Sequence, residues 1–284
     1  MHIASSRRLG LALVAGAAFL PSCTSTAPKA AAVESAYLPP RVVAQDPVEA
    51  PMSQVHPRTM ATLGFAIGEQ DFEVNTGSAV VSGSGDAFGF RLKGEHYLES
   101  DLGFHATVNY TKADDVFSGA RSGITSTGIF LGLAYRATVD DVFRLPVRFG
   151  PFFHESEQEV PSGGDGDIER STIGVRLAAE PEYIVFQQNE GGKIRELSVF
   201  AEVGCGAGPS DVKDNVDSED GYSFNFNWEI GARYRMPSGL LVGLSYMAMK
   251  NHYGATETYN NPAIVFNGVD DDFGGFVITA GLRF

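Results

Sequence analysis

The chain is poor in positive charge, in cysteine and in long apolar runs, and these shortages exclude several classes of protein. It has 21 Lys and Arg against 35 Asp and Glu in 284 residues, two cysteines, and a formal net charge of −14. Sequence-independent binding to a nucleic-acid backbone needs a basic face, so a nucleic-acid partner is not expected. Leu9–Leu20 is the one long apolar run, and no later segment reaches the ~18 apolar residues of a spanning helix. A helical membrane protein is therefore excluded, whereas a soluble domain and a β-barrel are not.

The N-terminus has the pattern of an export signal. Two arginines precede the apolar run, as in secretory signals. The run ends in Leu20-Pro21-Ser22-Cys23, which resembles the lipobox of bacterial lipoproteins. That resemblance implies removal of residues 1–22 and acylation of Cys23, and ordinary cleavage near the alanines at 30–32 is the alternative. Residues 23–57 are rich in Ala and Pro without a regular period, so they are expected to form an extended periplasmic tether.

From residue 58 onward, apolar and polar residues alternate. The longest unbroken case is Tyr222–Arg235, with apolar residues at every second position. This period of two predicts β-strands with one apolar face. Pro146, Pro151 and Pro181 lie inside predicted strands and remove ladder donors there, so bulges or strand ends are expected at them. The ten predicted strands cover approximately 58–70, 84–97, 101–112, 127–138, 143–154, 170–186, 196–206, 222–235, 240–251 and 273–284.

The predicted connections are of two kinds. Residues 98–100, 139–142 and 236–239 are short turns, 187–195 is intermediate, and the other five connections have 13 residues or more. Sorting of this kind is typical of outer-membrane barrels, and a soluble β-sandwich has no reason to show it. Eleven strand residues tilted by ~45° cover ~25 Å, the height of the apolar band. We therefore predict an all-β fold over 58–284: a closed antiparallel up-and-down transmembrane barrel of about ten strands.

The last predicted strand carries the most specific motif. Its apolar row ends in an aromatic residue and consists of Phe276, Ile278, Ala280, Leu282 and Phe284. This row closely resembles the C-terminal strand by which bacterial outer-membrane barrels are recognised for insertion, and the architecture resembles small barrels of the OmpA and OmpW kind. The resemblance implies an outer-membrane location, contact with membrane lipids and recognition by the barrel-assembly machinery. It also implies a periplasmic tether and extracellular long loops.

With the apolar rows facing lipid, the polar rows face the lumen. The charged residues predicted there are Arg91, Lys93, Glu95, Arg136, Arg144, Arg148, Arg176, Glu180, Glu182, Glu202, Glu229, Arg233, Arg235 and Arg283. Nine cations and five carboxylates in so narrow a barrel favour a plug of ion pairs. This predicts a structural or surface-interaction role. A narrow, anion-preferring channel for small solutes is the alternative.

The five long loops are strongly acidic. They hold 20 Asp and Glu against Arg121 and Lys213. A solvated surface is the simplest interpretation, and binding of divalent cations by clustered carboxylates is the sharper one. None of the clusters has the spacing of an EF-hand, so neither a specific metal site nor a cofactor is predicted. The clusters are Asp165 and Asp167; Asp211, Asp214, Asp217 and Asp220; and Asp270–Asp272.

Two families of outer-membrane enzymes offer weaker resemblances. His154-Glu155-Ser156, followed by Glu169, is similar to the His-x-Ser motif of lipid A deacylases. Those enzymes need the pair to face lipid, and the register of this strand points both side chains inward. Omptin proteases use paired aspartates, but Asp114 and Asp115 are adjacent and would point to opposite faces. We therefore predict no catalytic residue and keep both enzyme classes as remote alternatives.

Overall fold

The computed structural model describes residues 58–75, 80–114, 116, 123–138, 142–158, 168–213, 218–255 and 268–284. The predicted signal, the lipidation residue Cys23 and the predicted tether lie outside these residues. Among the described residues there is no helix long and apolar enough to cross a membrane.

The described strands form one antiparallel sheet that closes on itself, because β1 pairs with β11. β6 and the first residues of β7, through Ile184, keep one register against β5 and against β8, so the two are parts of one interrupted strand. The closed antiparallel barrel of ten strands predicted from the sequence is thus confirmed. The strands are β1 (Thr59–Asn75), β2 (Val80–Tyr97), β3 (Leu102–Asp114), β4 (Gly123–Thr138), β5 (Phe143–Gln158), β6 (Ile168–Ala179), β7 (Glu182–Glu190), β8 (Lys193–Lys213), β9 (Ser218–Arg235), β10 (Leu240–Ala255) and β11 (Gly268–Arg283).

The three prolines disturb the barrel less than expected. Pro146 and Pro151 lie within β5 with no shift in register on either side. A proline lacks a donor but keeps its carbonyl, and the carbonyl of Pro146 accepts a hydrogen bond from the backbone N–H of Glu180, between β6 and β7. The boundary between β6 and β7 falls at Pro181. The shift in register lies further along, between Ile184 and Phe186.

The residue pairs also fix the stagger of the barrel. Followed once around the ten strands, the pairs that start at Thr59 return to β1 at Asp71, twelve residues further on. With strands ~4.8 Å apart and a rise of ~3.3 Å per residue, this stagger tilts the strands by ~40° and gives a backbone radius of ~10 Å. Such a barrel has room for little besides side chains.

Several connections are shorter than predicted because the strands extend into them. Residues 76–79 separate β1 from β2, and residues 214–217 separate β8 from β9. The alternation continues there with its polarity reversed: Asp71 and Glu73 face outward, and Phe72 is buried. The strand ends that precede and follow the longer connections, residues 115–122, 159–167 and 256–267, are all at this same end. We call it the loop end, and the opposite end, with its short connections, the turn end.

Burial in the barrel is inverted relative to a soluble protein. Outward-facing Phe65 and Ile67 are 58% and 69% exposed, whereas inward-facing Arg144 and Arg148 are 0% and 1% exposed. Every strand presents exposed apolar side chains outward between the two ends. We call this band the apolar belt. Toward the loop end the outward residues become acidic, as at Glu69.

Candidate functional site in the barrel lumen

A network of eight charged side chains crosses the lumen. Glu180 is at its centre and accepts hydrogen bonds from Lys93, Arg148 and Arg233, with 2.8 Å to Arg148. These partners come from three separate strands, so the contacts join opposite walls of the barrel. Cations and carboxylates are equal in number. The members of this central network are Arg91, Lys93, Glu95, Arg148, Glu180, Glu202, Glu229 and Arg233.

The central network is also well hydrogen-bonded. The Arg91 guanidinium donates to both carboxylate oxygens of Glu229, at 2.6 and 2.8 Å, and Ser245 donates to the same carboxylate at 2.6 Å. Tyr97 donates to Glu95 at 2.9 Å. Buried charges are stable only when they are paired and their remaining lone pairs are satisfied, and both conditions are met here.

A second network lies at the turn end. Arg144 donates to both oxygens of Glu196 at 2.9 and 2.8 Å, and Arg283 donates to both oxygens of Glu182 at 2.8 and 2.6 Å. Ser198 donates to Glu182 at 2.7 Å. This turn-end network ties β5, β7, β8 and β11 together, so the lumen is crossed by ion pairs at two levels.

The structure places all fourteen charged residues named from the sequence on the inner face of the barrel. Outside the two networks, Arg136 pairs with Asp101 at 2.8 Å and lies over the Tyr97 ring. Arg235 is half-buried at the turn end. Arg176 donates to two asparagine side chains.

Three further charged residues face the lumen that were not predicted from the sequence. Glu196 and Arg170 are the first residues of the predicted strands 196–206 and 170–186, and Asp271 lies in the predicted connection before the last strand. Continued alternation into the polar ends of the strands is the signal that identifies these three residues.

An apolar layer, which the sequence analysis did not predict, lies between the central network and the loop end. It consists of Ala66, Phe72, Ala87, Ala113, Val116, Ile124, Met247, Tyr253, Val269, Phe273 and Val277.

A polar cluster around Asp271 accompanies the apolar layer. Gln70 donates to this carboxylate at 2.6 Å, Ser126 at 3.2 Å and Ser156 at 2.9 Å. Arg170 donates to Ser156 at 3.0 Å and is fully buried. These contacts join β1, β4, β5, β6 and β11 across the inner wall near the loop end.

The residues of the deacylase-like motif are divided between the two faces of the barrel: His154, whose Nε2 lies 3.3 Å from the Ser126 hydroxyl, and Ser156 belong to the polar cluster around Asp271, and Glu169 does not. Ser156 is fully buried and bonded as described, and His154 Nδ1 lies 2.6 Å from the Tyr253 hydroxyl. Glu169 faces outward and is exposed. Of the paired aspartates, Asp114 is exposed at the end of β3, and its neighbour lies outside the described residues.

The acidic clusters are divided between the two faces of the barrel. Asp271 points inward, whereas Asp270 lies 2.7 Å from His252 and Asp272 lies 2.5 Å from Lys250 on the outer face. In the described ranges, no group of three or more His, Cys, Asp or Glu side chains is placed to hold a metal ion. Asp211 and Asp220 are in β8 and β9. The candidates outside the described residues are Asp165, Asp167, Asp214 and Asp217.

An acidic groove of about 900 Å³ lies on the outer face at the loop end. Asp71 and Glu73 line it together with the two outward aspartates of β11 and with Lys250. Partial burial raises the pKa of Asp71, and the neighbouring carboxylates of Glu69 and Asp272 raise it further. The groove therefore concentrates negative charge just beyond the apolar belt.

The apolar row of β11 belongs to the apolar belt. Phe276, Ile278 and Phe284 are each about 60% exposed, and Leu282 and Ala280 point the same way. The row faces away from the lumen along its whole length.

No protein-family model and no curated protein sequence matches the chain. Solved structures do resemble it. The outer-membrane protease OmpT of Escherichia coli is 12% identical with a TM-score of 0.42, and the match covers 80% of this chain and 96% of the OmpT chain. The transport unit of the E. coli autotransporter AIDA-I has 8% identity and a TM-score of 0.40, covering 86% and 94%. The attachment invasion locus protein Ail of Yersinia pestis has 13% identity and a TM-score of 0.31, covering 81% and 99%.

Proposed function

We propose that this protein is an integral barrel of the bacterial outer membrane with a closed lumen and a structural or surface-interaction role. The inverted burial carries the proposal: the apolar belt is exposed and the charged side chains are inside. In water, so large an apolar surface would cause association, whereas in a bilayer it faces hydrocarbon. The tether would then lie in the periplasm and the loop end outside the cell.

The closed lumen supports a role other than transport. The interior of a ten-stranded barrel has room for little besides the inward-facing side chains. Here two ionic networks and an apolar layer occupy that interior. The strands also continue well past the belt. β8 has 21 residues, so at a tilt of ~40° it rises ~50 Å, about twice the ~25 Å apolar band. The protruding half, with its acidic outer face, is the surface we propose for interaction.

The first experiment is a gel-mobility assay on protein from an outer-membrane fraction, with and without boiling. A compact band that converts only on boiling to the mobility of the unfolded chain is expected for a closed barrel; the full chain of 284 residues has a mass of 30.4 kDa, and removal of the predicted signal would lower it. The matched control is Leu244→Arg, which places a charge on the belt and is expected to reduce the compact band. A soluble periplasmic pool with no mobility shift would contradict the proposal.

A narrow anion-preferring channel is the second candidate, because inward cations outnumber inward carboxylates in the described residues. Conductance in a planar bilayer separates the two candidates. No conductance steps are expected from the wild-type protein if the barrel is closed. Anion-selective steps that disappear in Arg176→Gln but persist in the exposed-site control Arg195→Gln would favour the channel.

We propose no enzymatic activity. The buried hydrogen bonds of His154 and Ser156, with Glu169 on the opposite face, support this proposal. Loss of a lipid-cleaving activity in His154→Ala and Ser156→Ala, with the folded barrel retained, would overturn it. A lipid-cleaving activity that survives both substitutions would not arise from this motif.

A further inference from the structure

A small cavity lies inside the barrel beside the central network. Its volume is about 20 Å³, which is enough for one water molecule or one monoatomic ion. Arg148 and Glu202 of the central network line it, together with His105, Phe130 and Arg176. Polyatomic anions such as phosphate are too large for this space.

The positive charge beside the cavity is not balanced. The central network itself has four cations and four carboxylates. Arg176 adds a fifth cation, and its guanidinium donates to the amide oxygens of Asn225, at 2.8 Å, and of Asn227. Within the described part of the chain it forms no ion pair, and its Nε has no partner. Amide oxygens satisfy donors but leave the charge of a buried cation uncompensated, which is costly in a low-dielectric interior.

His105 supplies a second group without a partner. Its side chain is buried at 4% exposure, and neither ring nitrogen has a hydrogen-bond partner among the described residues. The ring packs edge-on against Phe130 with 4.3 Å between ring centroids, and the Arg176 guanidinium lies 5.3 Å from the same Phe130 ring. A neutral imidazole always carries one N–H donor. The side chains that carry these two unused donors, one of them a surplus cation, line the same cavity.

We propose that this cavity binds one monovalent, monoatomic anion of the halide class, held by Arg176 and His105. A water molecule would fit the volume and satisfy the donors, but it would leave the surplus charge in place. A halide fits, accepts hydrogen bonds from both donors and neutralises the charge. The anion would then be a structural component of the plug, independent of whether the barrel conducts.

The test is a comparison of unfolding in chloride and in gluconate, which is too large for the cavity. The full chain is folded in detergent micelles and unfolded with urea at equal ionic strength, and the fluorescence of Trp228, its single tryptophan, reports unfolding. A site with a Kd of ~10 mM would raise the folding equilibrium constant about tenfold in 100 mM chloride. Arg176→Gln is expected to abolish the difference in stability between chloride and gluconate. The control Arg195→Gln, which removes an exposed cation at the turn end, is expected to retain that difference.

Equal stability of the wild-type protein in the two salts would overturn the proposal, as would an Arg176→Gln protein that keeps the full chloride effect. If that variant does not fold, wild-type crystals soaked in bromide decide the question. An anomalous bromine peak in the cavity would support the site, and its absence, with an ordered water at the same position, would show that water alone fills the space.

Discussion

Glu180→Gln is the most informative substitution in the central network. It preserves the shape of the side chain but removes the charge that Lys93, Arg148 and Arg233 share. Lys93 keeps Glu202 at 2.9 Å as a second carboxylate partner. Arg233 keeps its contact with the Phe200 ring, at 3.5 Å, and has lost its carboxylate. One buried cation is thereby left without an ionic partner.

Removal of one partner from a buried ion pair costs about 3–5 kcal/mol, because the remaining charge stays desolvated. The glutamine oxygen still accepts a hydrogen bond, so we expect a loss near the lower value, about 3 kcal/mol. That loss lowers the folding equilibrium constant by roughly 100-fold. Combining Glu180→Gln with Arg233→Met removes the orphaned cation and should recover about 1–2 kcal/mol.

Urea unfolding in micelles, followed by Trp228 fluorescence, measures these changes. The matched control is Glu99→Gln, whose side chain is 88% exposed and lies 3.7 Å from Arg58. An exposed pair of this kind contributes about 0–1 kcal/mol, so the control should remain close to the wild-type stability. If Glu180→Gln were as mild as the control, Glu180 would be in contact with water. The lumen would then be hydrated rather than plugged.

Further substitutions test the belt and the hydrogen bonds of the lumen. Leu244 is a belt residue that is 58% exposed, and Leu244→Arg should lower the free energy of unfolding in a bilayer by about 2–4 kcal/mol. Ser84 is exposed on the same face beyond the belt, and Ser84→Arg should lower it by less than ~0.5 kcal/mol. Equal effects of the two substitutions would place the bilayer elsewhere. Tyr97→Phe keeps the ring under Arg136 but removes the hydrogen bond to Glu95, so urea unfolding should show a loss of about 1.5–3 kcal/mol. An unchanged midpoint would mean that water replaces the hydroxyl.

The sequence predicts the strands well because a period of two assigns each residue to a face. It could not predict which charges meet. Arg91 and Glu229 are 138 residues apart, and they face each other only because of the stagger of the closed barrel. Which cation pairs with which carboxylate is therefore a property of tilt and register, and no local pattern contains it.

The apolar layer was missed for a different reason. In the belt, the outward face is apolar and the inward face is polar, as at Ile67. A few residues later along β1, Asp71 faces outward and Phe72 is buried inside. The alternation has the same period on both sides of this change, so periodicity alone does not show that the solvent has changed from lipid to water. The position of the change in polarity, rather than the period, marks the edge of the belt.

The seam between the first and last strands sets the order in which the barrel can form. β1 and β11 are joined by sixteen residue pairs, from Met60 with Arg283 to Asn75 with Gly268. The other strands pair with close neighbours in the chain, so contacts of such long separation are expected to form last. Until then two strand edges expose unpaired N–H and C=O groups, which hydrocarbon does not tolerate. Closure of the seam and entry into the bilayer are therefore expected to be coupled.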